Sequence, residues 1–257
     1  MFDSHYYPEH WGVRPILFWI NGVGIPSYST FVLLGLVAGL IFYIVDSKSK
    51  KSFNENAVYI VASALIFGTL GSKIPIWIEN FNFIKNHVWD NPEILLGGRT
   101  VVGGLIGGFL GVLLVKKILK IDVKLGNHIA PAAALGIAIG RIGCFLRGCC
   151  YGIPTGTAFG VDFGDGIPRH PTELYEAVFD FGLFLFLLHL RKRVTEPGKL
   201  FRIFLSIYFS FRFIIEFIRI EPKFFLGLTW YQLASLLIIA FVNRRYIIKN
   251  KRTVQEI

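Results

Sequence analysis

The sequence predicts an all-α polytopic membrane protein with seven transmembrane helices, its N-terminus outside and its C-terminus in the cytoplasm. Three observations predict it. Of 257 residues, 53% are hydrophobic and only 17% are charged, against roughly 45–50% and 25% in a soluble domain. The apolar residues gather into seven runs, each near the ~20 residues that a helix needs to cross the hydrocarbon. The Lys and Arg residues cluster in alternate loops, which is the pattern of cytoplasmic loops.

The chain opens on an arm, residues 1–26. Met1 to His10 lack the basic start and small-residue cleavage site of a signal peptide, so the first span is expected to act as its own insertion signal. The apolar piece Pro15 to Ile20 is too short to span, and Gly22 and Gly24 interrupt it. It reads as an interfacial arm with Trp11 and Trp19 at headgroup level. Spans follow at Tyr28–Val45, Val58–Ile78, Val101–Val115, Ile129–Leu146, Leu174–Leu190, Leu200–Ile218 and Leu228–Val242. None alternates as the strands of a transmembrane barrel must, and open sheet edges are excluded from lipid. Residues 27–243 are therefore a seven-helix core and 244–257 a basic cytoplasmic tail, all within a single integral membrane domain, 1–257.

Orientation comes from the cations. Lys48, Lys50 and Lys51 fill the first loop, Lys116, Lys117, Lys120 and Lys124 the third, and Arg191, Lys192, Arg193 and Lys199 the fifth. Arg244, Arg245, Lys249, Lys251 and Arg252 fill the tail, while the opposite loops carry Asp90, Glu93, Asp162 and Asp165. The net charge of +10 is thus a topology signal, and anionic membrane lipids rather than nucleic acid are its expected partner.

Ionisable groups inside spans are costly and point to function. Arg141 lies in the fourth span, and Arg212 and Glu216 lie four apart on one face of the sixth, with Arg219 three residues on. Each has a structural alternative, an ion pair or a snorkelling side chain. Together with Arg169 they predict an anion site toward the outer face, because a guanidinium grips phosphate bidentately. Lys73, in the second span, is expected to snorkel. Arg169, His170, Glu173 and Glu176 open the fifth span around Pro171, partly as a cap for its helix and partly as a site with a titratable imidazole. The glycines of the third span, Gly103, Gly104, Gly107, Gly108 and Gly111, allow close helix packing or the approach of a lipid headgroup.

All three cysteines, Cys144, Cys149 and Cys150, lie at the outer end of the fourth span. Their spacing offers too few neighbouring ligands for zinc, so neither metal nor cofactor is predicted. A short disulfide from Cys144 and a reactive thiolate beside Arg141 and Arg147 both remain open.

The string Gly140 to Gly152, the run Arg169-His170-Pro171 to Glu176, Gly103 to Gly108 and Arg212 to Glu216 together resemble bacterial prolipoprotein diacylglyceryl transferases, in the family's order, over about Tyr28 to Leu236. The resemblance implies a bacterial inner-membrane enzyme of lipoprotein maturation. Its substrates would be phosphatidylglycerol and a prolipoprotein signal peptide, whose lipobox cysteine becomes a thioether. It implies roles for Arg141 and Gly152 of the signature, for Arg212 and Glu216, and for Tyr28 at the start of the first span. Three positions depart from the pattern: Cys144 stands for Asn, Cys149 for Glu, and Val102 for the His or Tyr before the double glycine. Arg141 and Arg212, aided by Arg219 or Arg169, are expected to hold the phosphate, Glu216 to orient an arginine, and His170 to take the thiol proton. The alternatives are a membrane thiol–disulfide enzyme using the three cysteines, a paralogue with another acceptor, and a lipid-binding or transport protein.

Overall fold

The computed structural model describes residues 11–49, 55–89, 95, 100–122 and 125–255, with side chains at those up to 244 other than 48, 49, 55 and 79. Met1 to His10, Lys50, Lys51, Asp90, Glu93 and Lys124 of the predicted arm and loops lie outside the described residues. The described chain is helical: α1 (Ser27–Ser49), α2 (Glu55–Glu79), α3 (Phe81–His87), α4 (Val101–Ile118), α5 (Gly126–Arg147), α6 (Thr172–Arg191), α7 (Lys199–Ile215) and α8 (Trp230–Gln255). Two short antiparallel hairpins add β1 (Ile16–Ile20) with β2 (Val23–Pro26), and β3 (Val161–Asp162) with β4 (Pro168–Arg169).

Among the described residues, four helices are long and apolar enough to cross a membrane, at Ser27–Ser47, Asn56–Ile78, Val101–Ile118 and Gly126–Arg147. α6, α7 and α8 coincide with the last three predicted stretches but are more polar. Glu173, Glu176 and Asp180 lie on α6, Arg202 and Arg212 on α7, and a run of cations ends α8. Burial is inverted relative to a soluble protein. Asp180 and Glu173 are 0% exposed while Leu33 is 60% and Leu237 71% exposed. Water would penalise such a surface, whereas hydrocarbon accepts it. The protein is a membrane protein.

The chain divides into two compact units. One falls within Lys48–Val123 and is built on the pair α2 and α4. Glycine is essential to that pair: a Cβ on Gly71 would stand 2.6 Å from the Gly103 carbonyl oxygen and 2.7 Å from the Gly107 Cα. Small residues replace the hydrophobic effect as the means of bringing helices together in lipid. Gly103 and Gly104 face α2 in this way, which is the packing role open to them in the sequence. Thr100 caps α4, its hydroxyl accepting from the Gly103 amide at 3.3 Å. Lys73, expected to snorkel, is instead buried at 5% exposure.

The second unit falls within Pro8–Ser47 and Lys124–Ile257. α5 packs on α6 and α7, and α7 on α8. α1 approaches α5 through Gly39, where a Cβ would stand 2.8 Å from the Ala132 carbonyl oxygen. One end is tied by Asp46, whose Oδ2 accepts from Arg191 at 2.6 Å and lies 2.8 Å from His128 Nδ1. That contact joins the end of α1, the start of α5 and the end of α6.

The arm at 16–26 is a hairpin, which the sequence reading treated only as an interfacial segment. Asn21 and Gly22 both adopt positive φ, 48° and 79°, the requirement of a tight two-residue hairpin turn. Trp11, read as a headgroup anchor, donates its indole N–H to the Gly148 carbonyl at 2.6 Å.

Candidate active site

Three arginines meet one carboxylate. α5 carries Arg141 and α6 carries Glu176. α7 carries Arg212, and a 3-10 turn, Glu216–Ile218, ends it and leads to Arg219. Glu176 Oε2 pairs with Arg141 Nη2. Its Oε1 accepts from Arg212 Nη1 at 3.0 Å and from Arg219 Nη1 at 3.1 Å. Glu216 makes a second layer, 2.9 Å from Arg212 Nη2 and 3.5 Å from Arg219 Nε. The Thr229 hydroxyl holds Glu216 Oε1 at 3.0 Å, and the Gln232 carboxamide oxygen accepts from the Thr229 amide at 2.9 Å. Arg212 also stacks over the Tyr231 ring, 5.2 Å from its centroid. Glu221, at the rim, accepts from Arg219 Nη2 at 3.2 Å.

The five central side chains are buried. Burying ions is costly unless each is paired and hydrogen-bonded, and these are paired across three helices. Three guanidiniums converge here on two buried carboxylates, Glu176 and Glu216, with Glu221 on Arg219 at the rim. Glu173 and Asp180 flank Glu176 at i−3 and i+4 on the same face of α6. Both are fully buried, and neither carboxylate makes a hydrogen bond among the described residues.

A loop closes this end. α5 stops at Gly148, which takes the left-handed conformation at φ 73°. The chain then lies between two other segments. The Gly152 amide donates to the His170 carbonyl at 2.8 Å, the Ile153 amide to the Ile218 carbonyl at 2.8 Å, and Gly152 bridges Arg219. A Cβ on Gly152 would stand 2.5 Å from the Ile218 carbonyl oxygen and 2.9 Å from the His170 Cβ. Only glycine fits, so Gly152 sets where Arg219 begins. The Cys150 carbonyl accepts from Thr172 Oγ1 at 2.6 Å and from Arg219 Nη1 at 2.9 Å.

The structure thus gathers Arg141, Arg212, Glu216 and Arg219, with Gly152 supporting them from the loop. Other predicted residues have separate arrangements. Arg169 forms a two-bond pair with Asp165, at 2.6 Å each, and lies 5.1 Å from the Tyr151 ring centroid. Its guanidinium holds the Asp165 carboxyl down at about 2. His170 places Nδ1 3.2 Å from the Tyr175 hydroxyl. Tyr28 stacks with Arg147, 5.4 Å from ring centroid to Cζ. Gly103 and Gly104 belong to the other unit, with Val102 buried beside them. The three cysteines are free thiols.

Sequence reasoning placed Glu176 in a helix cap and passed over Asp180. The signal was present: 173, 176 and 180 follow the spacing of a single helix face, and here that face is acidic within an apolar run.

The sequence matches the prolipoprotein diacylglyceryl transferase family over residues 15–247. This chain belongs to that family. A phosphatidylglycerol–prolipoprotein diacylglyceryl transferase of Clostridium tetani is 39% identical over 223 residues, 82% of this chain and 87% of the relative. The transferase of the same name from Geobacter sulfurreducens is 33% identical over 225 residues, 84% and 85% of the two chains. That of Dehalococcoides mccartyi (strain ATCC BAA-2266 / KCTC 15142 / 195) is 29% identical over 255 residues, 93% and 95%. The resemblance that rested on short motifs is therefore a family membership spanning nearly the whole chain. It favours a transferase over a thiol–disulfide enzyme.

Proposed function

We propose that this chain transfers the diacylglyceryl group of phosphatidylglycerol to the lipobox cysteine thiol of a prolipoprotein, at the outer side of a bacterial inner membrane. In this reading it crosses that membrane seven times, N-terminus outside, with α6, α7 and α8 as the last three spans. The observation that carries the reading is the convergence of Arg141, Arg212 and Arg219 on Glu176 in a buried cluster.

The reaction breaks the bond between a glyceryl carbon and a phosphate oxygen, so negative charge develops on the leaving phosphate. Preorganised cations in a low-dielectric site stabilise that charge strongly. Glu176 and Glu216 hold the guanidiniums in place before the lipid arrives, so little reorganisation remains for the reaction step. His170, with Nδ1 engaged by Tyr175, is the imidazole proposed to take the acceptor's proton.

The test is conversion of radiolabelled phosphatidylglycerol and a lipobox peptide to thioether product by purified protein. Absence of product where the Clostridium tetani relative is active would overturn the proposal. Arg141→Ala and Arg212→Ala should each lower turnover about 100- to 1,000-fold while the protein stays monodisperse in detergent. Retained turnover would remove those residues from the mechanism.

A further inference from the structure

We propose that Cys144, Cys149 and Cys150 form a three-thiolate site for a zinc-class divalent ion, and that this ion binds the acceptor cysteine at its open fourth position. The inference rests on the transferase reading for its catalytic part. The site itself rests on geometry.

The three sulfur atoms all lie within 4.8 Å of one another. Zinc–sulfur bonds of about 2.3 Å place sulfurs around one ion about 4 Å apart, so small side-chain adjustments close the site. The backbone is shaped to bring them together. Cys144 lies in the last turn of α5, and Gly148 reverses the chain, so that the Cys149 amide reaches back to the Cys144 carbonyl at 3.1 Å. Cys150 then takes φ 71°, a left-handed conformation that a non-glycine residue seldom adopts. Hydrogen bonds to its carbonyl from Thr172 and Arg219 hold it there. Sequence spacing alone concealed this, since a turn with two left-handed residues is needed to bring three thiols to one point.

The cluster also has the character of a reactive centre. Cys144 and Cys149 are buried while Cys150 is partly exposed, which leaves one open side. Structural zinc sites close with four protein ligands; catalytic sites use three and keep one position free. Among the described residues this cluster offers three. Three thiolates and a divalent ion sum to −1. Arg141, three residues before Cys144 on the same helix face, and Arg219, bonded to the Cys150 carbonyl, offset that charge. The same two arginines pair with Glu176, so an ion here adjoins the site proposed for the phosphate.

A thiol that binds such an ion is deprotonated. The bound acceptor sulfur then attacks the glyceryl carbon. The carbon–sulfur bond forms, the carbon–oxygen bond to phosphate breaks, and the electron pair leaves with glycerol phosphate. The thiol proton ends on that phosphate, and the ion keeps its oxidation state. Two of the positions at which this chain departs from its family's pattern are ligands of the proposed site.

The full chain, purified in detergent with a non-thiol reductant, is titrated with Cd2+ while thiolate-to-cadmium absorption is followed. Saturation at one equivalent is expected, with Zn2+ competing, and with Cys144→Ser and Cys150→Ser each weakening binding about ten-fold or more. No thiolate absorption, or binding untouched by both substitutions, overturns the site. If either variant fails to stay monodisperse, iodoacetamide labelling of the wild-type protein decides. Zn2+ should protect all three cysteines together, and absence of joint protection overturns the site. For the catalytic part, chelation should lower transfer to the lipobox peptide at least about ten-fold, with Zn2+ restoring it. Full activity in metal-free protein overturns that part. Absence of transfer at any Zn2+ level defeats the transferase reading, while the Cd2+ titration still decides the site.

Discussion

Glu176 is the side chain on which the site depends. It neutralises parts of three guanidiniums, and removing it leaves buried cations without their shared acceptor. Breaking a buried ionic pair costs roughly 3–5 kcal/mol. Glu176→Gln is expected to destabilise the protein by about that amount, read from unfolding in mixed detergents, and to reduce transfer sharply. Arg212→Lys tests geometry rather than charge. A lysine ammonium cannot reach Glu176 and Glu216 with a planar fork, so kcat/KM should fall about 100-fold while the melting profile changes little. Asp165 provides a pH test away from the site. Arg169 depresses its carboxyl to about 2, below the roughly 3.9 of an unfolded chain. A depressed carboxylate contributes stability above the unfolded value and loses it as pH falls through the folded value. Hydrogen exchange in the β3–β4 loop should therefore quicken, beyond its intrinsic pH dependence, between about pH 4 and 2. Asp165→Asn should remove that transition. Arg141, Arg212, Glu216 and Arg219 were legible because a charge within an apolar run stands out. Glu176 was less so: beside Pro171 at a helix start, a carboxylate has an ordinary capping explanation.

At the scale of elements, the contacts that matter are those that permit no Cβ. Gly71 in α2 meets the backbone of α4 at 2.6 and 2.7 Å. Gly71→Ala should force the pair apart and cost about 1–3 kcal/mol. Gly182 in α6 has nothing within 4 Å of its would-be Cβ, so Gly182→Ala should be stabilising by about 0.5–1 kcal/mol through helix propensity. Thermal unfolding in one detergent compares the two, and a matched response would refute the packing account. Gly152→Ala presses on the Ile218 carbonyl and so displaces Arg219. It should lower turnover by more than its loss of stability explains. The 16–26 hairpin shows what the hydropathy reading left out. Asn21-Gly22 is a strong turn signal between apolar residues, but the segment's length was weighed only against the thickness of a membrane. α3 had no comparable signal, being a short helix with no apolar run long enough to mark it.

For the molecule as a whole, the proposed topology predicts that a fluorescent protein fused after Ile257 folds and fluoresces in cells, whereas one fused before Met1 requires an export-competent reporter. A silent C-terminal fusion on a stably inserted protein would reverse the orientation. The sequence by itself determined the solvent of this protein, its long apolar helices and four of the five side chains of the arginine cluster. Those depend on local composition: an apolar run must be helical in lipid because its amides have no other partner, and a charge within such a run must be sheltered. Only the tertiary structure decided which charges share a partner. Glu176 is 35 residues from Arg141 and 36 from Arg212 along the chain, and no periodicity within one helix states which faces of α5, α6 and α7 will meet. It also brought the three thiols together, because a turn through left-handed residues places atoms by backbone angle, which spacing alone does not reveal.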